Sequence, residues 1–235
     1  MWSPLADVLG EPPADDEPAA AADVASALAS ATRLYHANRY AELAAVLPGL
    51  VRDASAEPPV LRSRVLRLAG SALTQARQRD AARDALDWSF ADAEAAGSVL
   101  DAASAVITQA WLMLGERRFE DVRLTAALWA DRVEPKLSAA SRPEVSAWGW
   151  LLLRASAAAI RDNRTGEAAD FMRLAEAAAV AVGPEKGSYH AYFTTFGPAT
   201  VAMKKVENAA ALALPGTPFA SATRSGSAAI LTCGS

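Results

Sequence analysis

The stretch Arg79 to Gly97, RDAARDALDWSFADAEAAG, decides the fold, and a second stretch much later in the chain answers it: Arg164 to Gly183, RTGEAADFMRLAEAAAVAVG. Each opens on an arginine and places small residues where helices must approach closely. Each carries one bulky residue in the middle, Trp88 or Phe171, and ends on a glycine, the residue that most easily stops a helix. Working outward, the basic residues that open second helices fall at Arg39, Arg79, Arg118 and Arg164, in steps of 40, 39 and 46. Helix pairs repeating every ~35 to 50 residues indicate an α-solenoid, because one pair cannot hide its own apolar face and must stack on the next.

The rest of the chain reads the same way. Breaks are expected at 36–40, 55–59, 76–80, 95–98, 115–119, 137–143, 161–166 and 182–188, and no window alternates with period two long enough for a strand. The expectation is an all-α tetratricopeptide-like α-solenoid of about nine helices in antiparallel pairs, wound right-handed. Composition agrees: alanine supplies 58 of the 235 residues, and alanine has the highest helix propensity. Pro48, inside AVLPGLV, should kink or split its helix. Residues 1–20, rich in proline and acid, read as a disordered tail or linker, residues 21–213 as the repeat domain, and residues 214–235, rich in Ser, Thr and Gly, as a loose tail.

Charge and cysteine count narrow the function. A net charge of −4 gives no basic footprint for nucleic acid. One cysteine, Cys233, excludes an internal disulfide framework. No apolar run is long enough to span a bilayer, and no secretory signal opens the chain, so a cytoplasmic location is expected. The acids Asp15, Asp16 and Glu17 have no partner cluster. His36, His190 and Cys233 are far apart along the chain, and no phosphate loop or metal spacing occurs. The expectation is a protein that is not an enzyme and uses no metal or cofactor.

Three segments carry a resemblance. RYAELAAVLPGLVRDA (39–54), AARDALDWSFADAEAAG (81–97) and FTTFGPATVAMKKVENA (193–209) resemble the tetratricopeptide-like C-terminal domain of actinobacterial helix-turn-helix (XRE-type) transcriptional regulators, in that order and at about that spacing. The resemblance covers roughly residues 24–210. It implies a sensor domain, here without its DNA-binding domain, because residues 1–23 are too short and too acidic to form one. The loose tail at 214–235 stands where the family continues with another helix pair.

First helices of solenoid pairs usually line the concave side. In LRSRVLRLAGSALTQARQ (61–78), Leu61, Val65, Leu68 and Ala72 form an apolar stripe, while Arg64, Arg67, Ser71 and Gln75 share another face. Gln109 and Trp111 stand out on the next first helix, and Trp148, Trp150 and Arg154 on the one after. Arginine, glutamine and tryptophan facing one channel suit an acidic or peptide-like ligand; tryptophans that fill gaps and arginines that snorkel to water are the plainer reading. In SYHAYFTTFGPATV (188–201), Thr195 can cap a helix opened by Gly197 and Pro198. Phe193 and Phe196 should pack it. Tyr189, His190 and Tyr192 either pack or overhang the groove. The helix itself offers an apolar stripe of Val201, Met203 (or Ala202), Val206 and Ala209, with Lys204 and Lys205 outside and the stripe left uncovered at the solenoid's end.

These readings converge on a non-enzymatic regulatory or sensor domain that binds a small molecule, peptide or protein in its groove. It would contact neither DNA nor membrane directly, and a homodimer is compatible with the pattern. The alternative is a stand-alone interaction adaptor unrelated to transcription.

Overall fold

The computed structural model describes residues 1–10, 21–185 and 195–213, and among these every regular element is helical. Ten α-helices follow one another: α1 (Ser3–Gly10), α2 (Ala21–His36), α3 (Tyr40–Asp53), α4 (Pro59–Gln75), α5 (Arg79–Ala95), α6 (Val99–Gly115), α7 (Phe119–Arg132), α8 (Arg142–Arg161), α9 (Thr165–Val182) and α10 (Pro198–Ala213). Residues 54–56 add one 3-10 turn. Nine of the helices lie in 21–213, the number expected.

The pairs α2/α3, α4/α5, α6/α7 and α8/α9 are joined by one recurring turn. Asn38, Arg77, Arg117 and Asn163 all adopt φ near +60°. The next amide closes back onto the last helical turn: Arg39 N–H on the Leu34 carbonyl, Gln78 on Leu73, Arg118 on Met113 and Arg164 on Ala159. This is the Schellman closure, which satisfies carbonyls that a helix end leaves open. Asparagine tolerates the left-handed region, whereas arginine at 77 and 117 occupies it against its own preference.

Packing is consecutive, as in an α-solenoid. From α2 onward each helix contacts the next, α1 lies on α3 and α5, and the first helices also contact one another in series: α2 with α4, α4 with α6, α6 with α8, α8 with α10. This inner layer explains why α4, α6 and α8 are buried over most of their circumference. Close approach comes from small residues. A Cβ on Gly70 would fall 2.5 Å from Leu86 Cγ, and one on Gly149 would fall 2.1 Å from Phe196 Cζ. Leucines dominate the core from α1 to α5, while Trp129, Trp148, Trp150 and Phe196 fill the core from α6 to α10.

Four expectations are corrected. The stretch 3–10, assigned to a tail from its composition, is the helix α1, with Leu5 and Leu9 buried against the leucine core. Its apolar pair Leu5 and Leu9, one helical turn apart, outweighs the proline and acid that follow it. Of the two outcomes expected at Pro48, a split does not occur: α3 runs on through it; the proline is buried with Leu43, Leu47 and Leu50, and this tertiary burial outweighs one lost amide donor. Helix α7 ends at Arg132 rather than at 137, because Pro135 disfavours helical geometry at the residue before it. The fourth concerns α10. Its inward face is Val201, Lys204, Glu207, Asn208 and Ala211, whereas Met203 and Val206 of the expected stripe point outward.

Candidate functional site

Helix α8 is set by its N-terminus. Ser141 and Glu144 form a capping box, with the Ser141 amide donating to the Glu144 carboxylate at 2.7 Å and Pro143 in the first turn. From there Trp150, Arg154, Ala157 and Arg161 recur at intervals of three and four residues, so they form one stripe on the helix.

Helix α10 is held against that stripe by polar contacts. The Trp150 indole N–H donates to the Thr195 carbonyl at 3.1 Å, and Phe196 packs into the space that Gly149 leaves. The first turn of α10 is capped by Glu185, which accepts the Thr200 N–H at 2.7 Å; Thr195, the expected cap, offers its carbonyl to Trp150 instead. Farther along, Asn208 donates to Ser156 Oγ at 2.9 Å, and Ser156 donates to the Ala168 carbonyl at 2.8 Å. A polar group on the facing part of α8 favours the polar side of α10 inward: the buried Asn208 amide finds its acceptor in Ser156, whose own proton is held by Ala168.

Between these helices lies a pocket lined by Leu114 of α6, by Trp150, Leu153, Arg154, Ala157 and Arg161 of α8, and by Lys204 and Glu207 of α10. Its enclosed volume is about 10 Å³, room for about one water, below an opening to solvent. Lys204 Nζ bonds both Glu207 oxygens, at 3.0 and 2.8 Å, and lies 6.0 Å from the centre of the Trp150 ring. The Arg154 guanidinium lies 5.2 Å from the same ring. Its Nε reaches the Ile107 carbonyl at 3.3 Å, and among the described residues its two terminal nitrogens have no hydrogen-bond acceptor.

Burial shapes the charges here. Loss of water pulls the Arg154 pKa down to about 10, with Glu207 and Tyr35 opposing the fall and Arg161 adding to it. Arg161 is lowered by burial, and Glu207 opposes the fall. Lys204 is lowered by burial and by Arg154, with Glu207 opposing. Tyr35 of α2, pushed well up by burial and by Tyr40, is hydrogen-bonded to Gln75 of α4 and couples electrostatically to Arg154. The lining thus carries three cations and one carboxylate, each half-buried and each keeping some access to water.

The other expected groove residues distribute as follows. Arg64 forms a two-pronged pair with Asp101 of α6, both contacts 3.0 Å, and Arg67 is buried beside it. The Asp101 carboxyl would be raised by its burial, yet the hydrogen bonds from Arg64 and Ser98, with the charge of Arg67, bring it below its ordinary value. Gln109 leaves the groove to donate to Asp87 of α5 at 2.7 Å. Trp148 is buried core beside Trp129, and Trp111 is half-buried. Phe196 packs as expected, while Phe193, Tyr189, His190 and Tyr192, with the acids at 15–17 and Cys233, lie outside the described residues.

The structure therefore brings Trp150 and Arg154 together and adds Arg161, Lys204 and Glu207, which the sequence reading missed. Arg161 was within reach, since it continues the Trp150–Arg154 stripe by seven residues. Among the described residues, no group of three or more His, Cys, Asp or Glu side chains could hold a metal ion, and no helix is long and apolar enough to cross a membrane. No family model, no curated protein and no solved structure matches the chain.

Proposed function

We propose that this protein is a non-enzymatic binding module of the regulatory or sensor type, taking a small molecule or peptide on the inner layer formed by α2, α4, α6, α8 and α10. The observation that carries the reading is the pocket between α8 and α10, where Arg154 and Trp150 meet Lys204 at the end of a helical stack. Desolvated cations are costly to keep in a fold, and an arrangement of this kind is more readily understood as a ligand site than as a stabilising feature.

The resemblance to the sensor halves of helix-turn-helix regulators supplies a mechanism. A ligand held between α8 and α10 would bias how the last helix sits on the stack, and so would favour one arrangement of an attached or partner domain. The chain itself would contact neither DNA nor membrane, and the cytoplasm is the compartment proposed for it.

A second reading, an interaction adaptor unrelated to transcription, draws support from the outward apolar residues Trp88 of α5 and Leu124 and Leu128 of α7. A thermal-shift screen of small acids and short peptides on the purified chain, paired with light scattering, separates the two. Ligands that raise the melting temperature and depend on pocket residues support the sensor reading. Stabilisation only by a protein partner, abolished by Leu124→Ser and Leu128→Ser, supports the adaptor.

A further inference from the structure

Helix α1 sits where the repeat provides no helix. The second helices of the pairs form the outer layer, and two of its junctions are closed by side chains of those helices themselves. The Phe90 ring of α5 meets the Trp129 ring of α7 edge-on at 5.6 Å, with Arg132 of α7 on Glu94 of α5 at 3.2 Å. Arg123 of α7 reaches Glu167 of α9 at 3.1 Å. Between α3 and α5 the filler is a helix from outside the pairs: α1 lies on both, with Leu5 0% and Leu9 5% exposed.

We propose that this groove between α3 and α5 is a helix-exchange site, and that its occupant in trans is α1 of a second copy of the chain, so that two chains trade their first helices. Helix α1 carries the recognition pattern. Leu5 and Leu9 stand one turn apart, and Trp2 and Val8 pack half-buried beside them on the same leucine core. Two apolar anchors at this spacing are how an amphipathic helix lies in an apolar groove. The sequence that fits the groove is thus the chain's own, and a second copy supplies it.

The resident helix is also lightly held. Among the described residues no hydrogen bond or ion pair joins α1 to another helix, whereas α10 is tied to α8 and α9 through Asn208 and Lys205. Eight residues are too few to stay helical in water without a surface to lie on, so α1 forms on the groove and melts on leaving it. Its departure leaves every helix pair of the stack intact.

Connectivity permits the exchange. Residues 11–20 separate α1 from α2, and ten residues span up to ~35 Å, about the width of a small domain. The contacts made in trans are those already made in cis, so the dimer needs no new interface. The tether favours the chain's own α1 at dilution, and the exchanged dimer forms as protein concentration rises.

The test uses the full chain and a fluorescent peptide of its residues 1–12. In the Leu5→Asp/Leu9→Asp variant the resident helix cannot seat. That variant should bind the peptide at least tenfold more tightly than the wild-type chain, whose α1 competes. A peptide carrying the same two substitutions should bind neither. Light scattering across a hundredfold range of concentration should show the wild-type chain moving from monomer to dimer while the variant stays monomeric. Circular dichroism establishes that the variant is folded; if it is not, Leu9→Ala carries the same prediction, with peptide binding about threefold tighter than wild type and less dimer.

Equal peptide binding by variant and wild type, or binding by neither, overturns the groove as a helix site. A dimer that survives the substitutions overturns the exchange. So does a wild-type chain that stays monomeric while the variant takes the peptide, an outcome that would assign the groove to a helix of another protein.

Discussion

Two junctions of the inner layer have the same architecture and opposite electrostatics. Where α4 meets α6, Asp101 is 1% exposed and its oxygens are occupied by Arg64 and Ser98, so the buried charge is met by partners on both elements. Where α8 meets α10, Glu207 is occupied by Lys204 of its own helix, and Arg154 presents terminal donors that no described residue accepts. A solenoid builds both by the same helix-on-helix stacking. The difference teaches that stacking sets position only, and that one junction is closed by matched charge while at the other the Arg154 terminal donors meet no described acceptor.

The comparison is tested most severely at Asp101. Asp101→Ala leaves Arg64 and Arg67 facing each other without their carboxylate and should cost about 3 kcal/mol, at the low end for breaking a buried pair because Arg64 keeps some access to water. Denaturant unfolding measures it. The pair also contributes to acid stability: with its pKa depressed below 3.8, Asp101 supplies stability that is complete above 3.8 and is lost as pH falls through the lower folded value. The variant should lack that part of the acid limb. A loss below 1 kcal/mol would mean the α4–α6 junction is no more closed than the other.

Next in size is Gly149→Ala. The added methyl meets the Phe196 ring at 2.1 Å and should cost about 2 kcal/mol by overpacking. Hydrogen exchange should accelerate in α10 and stay unchanged at the α4–α6 contact. Uniform acceleration would show that the two junctions do not behave as separate units.

Arg154→Met should act with the opposite sign. It keeps much of the side-chain volume on Trp150 and removes a cation whose burial lowers its pKa, so the chain should gain about 1 kcal/mol. Thermal unfolding reads it. A destabilised variant would place Arg154 with Arg64, as a structural charge.

The positions of the helices were legible in the sequence because each turn is chemically local. Asn38, Arg77, Arg117 and Asn163 sit one residue before the arginines, or in one case a glutamine, that lead into the next helix, and no distant contact is needed to end a helix there. What was not legible is which stripe of a helix meets which neighbour. Helix α10 offers an apolar stripe and a polar one, and periodicity ranks them by hydrophobicity alone. The choice is made by Ser156, Arg154 and Arg161 on α8, residues some 50 positions away. For the same reason Trp150 and Arg154 were identifiable as candidates while Lys204 and Glu207 were not. Helix α1 was hidden by the proline- and acid-rich residues beside it, although Leu5 and Leu9 already had helical spacing.

The smallest expected effect tests that choice of stripe on α10 itself. Val201 is 4% exposed and Val206 is 69% exposed, though both belong to the stripe that hydrophobicity alone would turn inward. Truncating a buried valine removes apolar contacts and leaves a small cavity, so Val201→Ala should cost roughly 1 to 1.5 kcal/mol. Val206→Ala removes surface that water already touches, and alanine has the better helix propensity, so the net change should stay within about 0.5 kcal/mol of zero. The contrast between the two, measured by chemical denaturation at low protein concentration, matters more than either value. If Val206→Ala costs as much as Val201→Ala, the outward stripe is covered in solution. The α8–α10 junction would then be supported from its outer side, and repeating the measurement across a hundredfold range of protein concentration would show whether a second copy supplies that cover, since only an intermolecular contact makes the cost depend on concentration.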